Sequence, residues 1–211
     1  MARRAPRPYH HGDLRRALME AALALVSDGG LPALSLREAA RRAGVSVAAP
    51  YHHFASREAL IAALAVEGFA GMRASMEAEL AAADDEPVER LLASGRGYLR
   101  YALAHPASFQ IMFGAPRLCD VSQFPEVASA SAPVGEILAR GVEGVLALPG
   151  LSAVPAARLA LLAWSSVHGM AWLVLDGAAP PSVAVGNGGG VDPFAPVEAL
   201  GALLRAAVAS P

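Results

Sequence analysis

The 211-residue sequence contains no lysine, a single cysteine and few charged residues, which make up 17% of the chain. Because Cys119 has no second cysteine to pair with, an internal disulfide cannot form, and we expect a reducing cytoplasm and an inert thiol. The Lys-Ser/Thr ending of a phosphate-binding P-loop is absent, as are G-x-S-x-G and H-E-x-x-H. These absences remove the usual signatures of nucleotide hydrolases, serine hydrolases and zinc peptidases.

A secretory signal and a membrane span are not predicted either. The arginines at the N-terminus are not followed by the apolar run of a signal peptide. The most apolar stretch, residues 159–175, is shorter than a bilayer span and contains Ser165, Ser166 and His168, so it predicts a buried helix. With 55% hydrophobic residues, the chain can form a substantial core.

Charge is distributed unevenly along the chain. Residues 1–57 carry nine arginines and four acids, a formal charge of +5, whereas the remainder carries −7. A basic head on an acidic body is typical of a module that binds nucleic acid phosphates. A disordered basic tail would account for Arg3, Arg4 and Arg7, but not for the arginines that follow in helical sequence.

Nearly every segment shows the helical period of apolar residues, and no convincing alternating strand is present, so the sequence predicts an all-α protein. The first helix is expected to open at Asp13 as its N-cap and to stop at Gly29 and Gly30. The other expected helices are Ser35 to Gly44, Val47 to Phe54, a long helix capped by Ser56 and ending near Ala82, and residues 87–104, 106–113, 125–147, 155–176 and 193–209. The acidic stretch Asp84-Asp85-Glu86 before Pro87 predicts a cap and turn, since proline suits the first helical position. Between the last two, residues 177–192 contain GNGGG and two prolines, which predicts a mobile loop.

Residues 35–57, SLREAARRAGVSVAAPYHHFASR, predict two short helices joined by a tight turn. Ser35 and Glu38 have the spacing of a capping box, and Gly44 suits the left-handed backbone of the turn. The inner face of the first helix is built from small residues, Ala39, Ala40 and Ala43. This pattern indicates a helix-turn-helix, in which the second helix enters the DNA major groove.

Over residues 13–65 the sequence resembles the tetracycline-repressor (TetR) family of bacterial regulators. The resemblance is carried by the AGVS turn, by the run of Tyr51, His53 and Phe54, and by the Ser-Arg-Glu-Ala-Leu that opens the next helix. The fragments YHHGDLRRAL at residues 9–18 and Trp164-Ser-Ser-Val-His168-Gly169 resemble a subgroup with a Trp-x3-His-Gly C-terminal effector domain. Elsewhere the body is similar to the family only in helix count and hydropathy.

The resemblance implies an N-terminal three-helix DNA-binding domain at residues 1–57, with a basic arm at 1–12, and a helical ligand-binding and dimerisation domain at 58–211. It implies a homodimeric repressor, paired through helices at about 155–176 and 193–209 and released from a palindromic operator by a small, largely apolar effector. Such a protein is cytoplasmic, nucleoid-associated when bound to DNA, and not an enzyme. We expect no cofactor and no metal. The adjacent pairs His10–His11 and His52–His53 cannot chelate one ion, because neighbouring residues of a helix point in different directions.

The resemblance also implies the DNA contacts. Val47, Ala48 and Ala49 are expected at base edges, with Tyr51 and His52 beside them, and Ser46 is expected as a further DNA contact. The residues expected at phosphates are Ser35 with its helix N-terminus, Arg37, His53 and Arg57. Val47, Ala48 and Ala49 are small and apolar, so they could touch a thymine methyl but cannot make bidentate hydrogen bonds, and shape readout should matter. Arg3 and Arg4 either enter the adjacent minor groove or belong to a solvated tail.

Aromatic residues in the body allow two interpretations, an ordinary core or an apolar effector cavity. The residues concerned are Tyr98, Tyr101, Phe109, Met112, Phe113, Trp164, His168 and Trp172. An ordinary core is favoured for most of them. His168 could be a polar contact of the effector, a satisfied core histidine, or a residue near the dimer seam, where Gly169 would permit close helix approach.

Two alternative functions remain open at this stage. A helical enzyme would have to use His168 and scattered acids, and the sequence offers no nucleophile–base pair. A constitutive DNA-binding or architectural protein would have no effector. A filled body core would favour the second alternative, and a cavity of a few hundred Å³ would favour ligand control.

Overall fold

The structure, a computed structural model, describes residues 11–118, 121–151, 153–178 and 191–209. Within these ranges it is helical and has no strand, which confirms the all-α prediction. The helices are α1 (His11–Gly29), α2 (Leu36–Arg42), α3 (Arg57–Ala82), α4 (Pro87–Ala104), α5 (Pro106–Leu118), α6 (Pro125–Leu146), α7 (Ala156–Leu175) and α8 (Ala195–Ala209), with 3₁₀ helices at Leu31–Ala33, Ala49–His52 and Val121–Gln123. The predictions for Arg3, Arg4, Arg7 and Cys119, and for most of the loop at 177–192, lie outside the described residues.

Local capping signals set several helix starts as the sequence predicts. The Ser56 hydroxyl accepts a hydrogen bond from the Ala59 N–H at 3.2 Å at the start of α3. At the start of α4, the Glu86 carboxylate accepts from two backbone N–H groups of the first turn, each at 2.8 Å. Pro87 occupies the first helical position, where its missing N–H leaves no bond unmade.

Two boundaries differ from the prediction. Helix α1 already begins at His11, so Asp13 lies inside it rather than at its N-cap; a capping preference is worth only about 1 kcal/mol and does not fix the terminal residue. Helix α5 runs on to Leu118 instead of ending at residue 113. Gly114 lies inside the helix, and because a Cβ there would lie 2.5 Å from Leu31 Cδ1, the glycine permits close packing against the head.

The core of the body forms around α3 and α4, which pack along each other. Helix α6 packs on both of them, α5 mainly on α3, and α7 and α8 on α4. The two central helices approach very closely at Gly97, where a Cβ would lie 2.5 Å from the Met76 Cα. Phe109 on α5 and Leu99 on α4 are completely buried. Helix α3 begins in the head and ends in the body, so it belongs to both regions.

Helix α7 is not buried within one chain, contrary to the prediction. Among the described helices, α3 and α7 are long and apolar enough to cross a membrane, but half of the most apolar window of α3 is buried in the fold and only 22% of that of α7. Only one side of α7 packs against the body. Its other side exposes Leu161, Leu162 and Leu173, because no described element of the same chain covers them.

Candidate DNA interface and ligand cavity

The capping box at the start of α2 is only half formed. The Ser35 hydroxyl accepts a hydrogen bond from the Glu38 N–H at 3.1 Å, as predicted. The Glu38 carboxylate does not return to the Ser35 N–H but binds the Arg41 guanidinium, with Nε 3.0 Å from both carboxylate oxygens. This charge-assisted pair lowers the pKa of Glu38 and explains why the reciprocal bond is lost.

The second helix of the helix-turn-helix is shorter than predicted. Val47 and Ala48 form a turn, and only Ala49–His52 are helical, in a 3₁₀ rather than an α conformation. Pro50 has no N–H to donate, and the neighbouring N–H groups bond to the carbonyl three residues back, Ala49 to Ser46 at 3.0 Å and Tyr51 to Ala48 at 3.3 Å. Pro50 itself is buried and anchors the segment to the head.

Five residues of this segment form one exposed surface, which we call the recognition surface: Ser46, Val47, Ala48, Tyr51 and His52. Val47 and Tyr51 leave 53% and 59% of their surface open, unusually much for large apolar side chains. Ala49 and His53 are half-buried, so less of each is available to a partner. With exposed apolar groups on Val47, Ala48 and Tyr51, this surface is the candidate for contact with DNA bases.

The arginines of the head differ in how their charge is used. Arg41 pairs with Glu38, and Arg42 Nη1 lies 2.6 Å from Asp28 Oδ2. Arg37 is exposed and has no ion-pair partner among the residues that the structure describes. Of these three guanidinium groups, that of Arg37 is therefore the one whose charge is not already neutralised.

Arg57 has a structural part that sequence reasoning missed. Its Nε donates to the Leu34 carbonyl at 2.6 Å, and its Nη2 donates to the Leu31 carbonyl at 3.1 Å. These bonds tie the start of α3 to the segment that leads into α2. Sequence reasoning missed Arg15 as well. Its Cζ lies 5.4 Å from the centroid of the Phe54 ring, and its Nη1 lies 3.6 Å from Glu67 Oε1 of α3.

A cavity of about 450 Å³ lies in the body, and all six helices from α3 to α8 contribute to its wall. Phe69 and Met76 of α3 line it, so the helix that starts at the helix-turn-helix also forms a wall of the cavity. The lining is almost entirely apolar, and none of the lining residues is charged. Its size and composition are those of a small-molecule site.

The predicted ligand-binding residues divide into two groups. Tyr98, Phe113 and Trp164 line the cavity. The others do not line it: Tyr101, Phe109, Met112, His168 and Trp172. Helical spacing indicated which side chains face inward, but it did not separate those that fill the core from those that border the cavity.

Several lining residues were missed by sequence reasoning. They are Leu91, Leu92 and Gly95 of α4, Val134 and Leu138 of α6, and Val197 and Leu200 of α8. Their signal was the i, i+3, i+4 apolar pattern, which every core residue of a helical protein shares. The part of the cavity between α6, α7 and α8 therefore could not be predicted from the sequence of any one helix.

His168 lies behind the cavity wall in a cluster of aromatic rings. Its Nδ1 lies 2.7 Å from the Tyr98 hydroxyl oxygen, and its Nε2 accepts a hydrogen bond from the Trp172 indole N–H at 3.1 Å. Burial lowers the pKa of His168 below its ordinary value and raises that of Tyr98 far above its usual range. Both side chains are therefore neutral at pH 7.

Comparison with known proteins agrees with this geometry. Residues 18–64 match the family described as bacterial regulatory proteins, tetR family, and residues 91–185 match the tetracyclin repressor-like C-terminal domain. The chain belongs to the TetR family. Members of this family are DNA-binding transcriptional regulators and not enzymes, which accounts for a helix-turn-helix head on a helical body.

Individual relatives show how far the likeness extends. A protein of unknown function from Rhodococcus sp. RHA1 is 32% identical, covers 97% of this chain and 100% of its own, and has a TM-score of 0.76. The TetR-family transcriptional regulator PfmR from Thermus thermophilus is 21% identical over 89% of this chain and 96% of its own, with a TM-score of 0.65. The HTH-type transcriptional regulator BetI of Rhizobium meliloti (strain 1021) is 47% identical over 49 residues, 23% of this TetR chain and 24% of BetI. The chain thus matches about a quarter of the length of that curated relative.

Proposed function

We propose that this TetR-family protein is a homodimeric repressor that binds a palindromic operator and is released by a small, largely apolar effector. One observation carries the proposal: α3 begins at the helix-turn-helix and continues as a wall of the 450 Å³ cavity. A ligand that fits the cavity in only one of two positions of α3 shifts the population toward that position. The spacing of the two heads then changes, and operator affinity falls.

For DNA contact we assign the recognition surface to base edges, with half-buried Ala49 at its margin. Exposed Arg37 is the best placed of the head arginines for a phosphate, and Ser35 and His53 are proposed as further phosphate contacts. Arg57 donates two hydrogen bonds to backbone carbonyls, so we assign it mainly to positioning α2. Arg3 and Arg4 are proposed as an arm in the adjacent minor groove.

The dimer is proposed to form through the outer faces of α7 and α8. Leu161 and Leu162 of α7 are 62% and 52% exposed, and Leu203 of α8 is 69% exposed. Gly169 lies on the same side of α7, and a Cβ added there would meet nothing within 4 Å in the single chain. A second copy would cover this apolar face and bring two recognition surfaces onto one DNA duplex.

We propose a head at residues 1–57 and a body at 58–211, acting in the bacterial cytoplasm where the operator lies. The cavity supports ligand control over a constitutive architectural protein, because a protein without an effector has no need of an unfilled space. The absence of a nucleophile–base pair among the lining residues gives no support to an enzyme.

Selection of bound duplexes from a random pool tests the DNA half of the proposal. The expected result is an inverted repeat with half-sites about one helical turn apart. Recovery of sequences without two-fold symmetry, or of no enriched sequence, would contradict it. The ligand half is tested with Ala163→Phe, which fills the cavity: this variant should bind the operator normally but resist release by compounds that release the wild type.

A further inference from the structure

The serine hydroxyls in the cavity wall already donate their hydrogens to backbone carbonyls. The hydroxyls of Ser94, Ser131 and Ser166 each donate to a carbonyl oxygen three or four residues earlier in the same helix, at 2.7, 3.0 and 2.7 Å. A serine hydroxyl has one hydrogen, so these three groups offer a ligand only lone pairs. A hydrogen-bond donor for a ligand must come from elsewhere in the wall.

Tyr98 is different because of the chain of bonds behind it. The Trp172 indole N–H can only donate, so His168 Nε2 must accept and carries no hydrogen. A neutral imidazole then carries its hydrogen on Nδ1, the atom 2.7 Å from the Tyr98 hydroxyl oxygen. His168 therefore donates to Tyr98, and the Tyr98 oxygen is the acceptor in that bond.

This direction leaves the Tyr98 hydrogen without a partner in the part of the chain that the structure describes. Among the described residues, the His168 nitrogen is the one side-chain hydrogen-bond partner within reach of the Tyr98 hydroxyl that could have taken that hydrogen, and it is occupied. The Trp164 indole N–H also interacts with the Tyr98 hydroxyl oxygen. Because an indole N–H can only donate, Trp164 cannot accept the Tyr98 hydrogen. Tyr98 is one of the residues that border the cavity, so a ligand there is the remaining candidate partner for this hydrogen.

We propose that Tyr98, oriented by His168 and Trp172, is the hydrogen-bond donor of the cavity, and that the effector is an uncharged, mainly apolar molecule bearing an acceptor oxygen, such as a ketone or ester carbonyl. This rests on the proposed function of the cavity as the effector site. A charged ligand is disfavoured, because no lining residue could pair with it and burying an unpaired charge is costly. In this proposal His168 of the Trp-x3-His-Gly fragment is a positioning residue, which orients the Tyr98 hydroxyl from behind the cavity wall.

A pair of probes with nearly the same shape separates the hydrogen bond from apolar burial. The probes are 2-acetylnaphthalene, which has a carbonyl, and 2-isopropylnaphthalene, which has none; their affinities for the full-length protein are measured by titration calorimetry. Tyr98→Phe should weaken the ketone about fivefold to tenfold, the loss expected for one hydrogen bond, and should leave the hydrocarbon within about twofold. The carbonyl stretching band of the bound ketone should move to higher frequency in the variant.

Trp172→Phe tests the orienting bonds without touching the cavity lining. Without the indole N–H, the His168 hydrogen is free to move to Nε2, so that Nδ1 accepts from Tyr98 and turns its hydrogen away from the ligand. The ketone should again weaken while the hydrocarbon does not, whereas damage to the fold would weaken both. Tyr101→Phe is the matched control, because it removes the same atom from a tyrosine that bonds Ser108 and does not line the cavity.

Each contrary result has a separate meaning. An unchanged ketone affinity in Tyr98→Phe overturns the donor assignment and leaves the effector cavity standing. A ketone affinity lost in Tyr98→Phe but kept in Trp172→Phe overturns the positioning by Trp172. Failure of both probes to bind the wild type overturns the cavity as an effector site. Binding of the ketone without any fall in operator affinity overturns ligand release but not the donor.

Discussion

The recognition surface and the cavity are the two proposed binding sites, and they are built in opposite ways. The recognition surface comes from one continuous segment, Ser46 to His52, held outward by buried Pro50. The cavity comes from six helices, and its wall combines Phe69 with Leu200. The first lies on the surface and depends on local backbone geometry, whereas the second lies between helices and depends on how far apart they stand. A short segment can therefore reveal a DNA-binding surface, but no single segment reveals a cavity.

The largest expected effect comes from separating the two chains of the proposed dimer. Leu162→Asp combined with Leu203→Asp places a charge on each exposed apolar face and should give a monomer in sedimentation velocity. Operator affinity, measured by fluorescence anisotropy, should fall at least about 1000-fold, since one head reads only one half-site. Ala78→Asp, on the exposed side of α3, is the control. A double variant that still sediments as a dimer would place the interface elsewhere.

Arg57→Ala should be the most destabilising of the arginine substitutions in the head. It removes two hydrogen bonds from a charged donor and leaves the Leu31 and Leu34 carbonyls without these partners. The free energy of unfolding, from urea titration, should fall by about 2 kcal/mol. Exposed Arg37→Ala should change it by less than about 0.5 kcal/mol. Equal losses of unfolding free energy in the two variants would show that the Arg57 hydrogen bonds do not stabilise the head.

Arg37→Ala should instead weaken DNA binding without regard to sequence. Losing one phosphate contact per half-site should reduce operator affinity several-fold and reduce the slope of log affinity against log salt by about 1 for each head. Anisotropy titrations at several salt concentrations measure both quantities. Arg41→Ala is the matched comparison, because that guanidinium is already paired with Glu38. The assignment fails if Arg37→Ala leaves the salt slope unchanged.

The smallest expected effect is a pH dependence in the body. Burial lowers the pKa of His168 in the folded protein, so the unfolded chain binds that proton more readily. Its contribution to stability is therefore fully present above the unfolded histidine pKa, about 6.5, and is lost as the pH falls through the lowered folded value. Urea titrations between those limits should show a smaller pH dependence for His168→Gln than for the wild type. Identical pH profiles would contradict the neutral His168 on which the bond direction at Tyr98 depends.

The sequence predicted the helices of this protein well where a signal lay within one turn. Ser56 and Glu86 cap the helices expected of them, because a side chain reaches a backbone N–H only two or three residues away. It failed where two local signals compete, as at Glu38, whose carboxylate takes Arg41 in preference to the Ser35 N–H. It also failed at Gly114, where a residue that usually ends a helix serves close packing instead.

The sequence by itself determined the helical fold and the helix-turn-helix, since these follow from periodicity, capping and proline geometry over short distances. Only the tertiary structure decided that Arg57 braces the head, that Tyr98 borders the cavity and that His168 stands behind it. Those facts depend on contacts between residues far apart in the chain, such as the 70 positions that separate Tyr98 from His168. The direction of a hydrogen bond there is fixed by Trp172, and it becomes visible only when all three side chains are placed together.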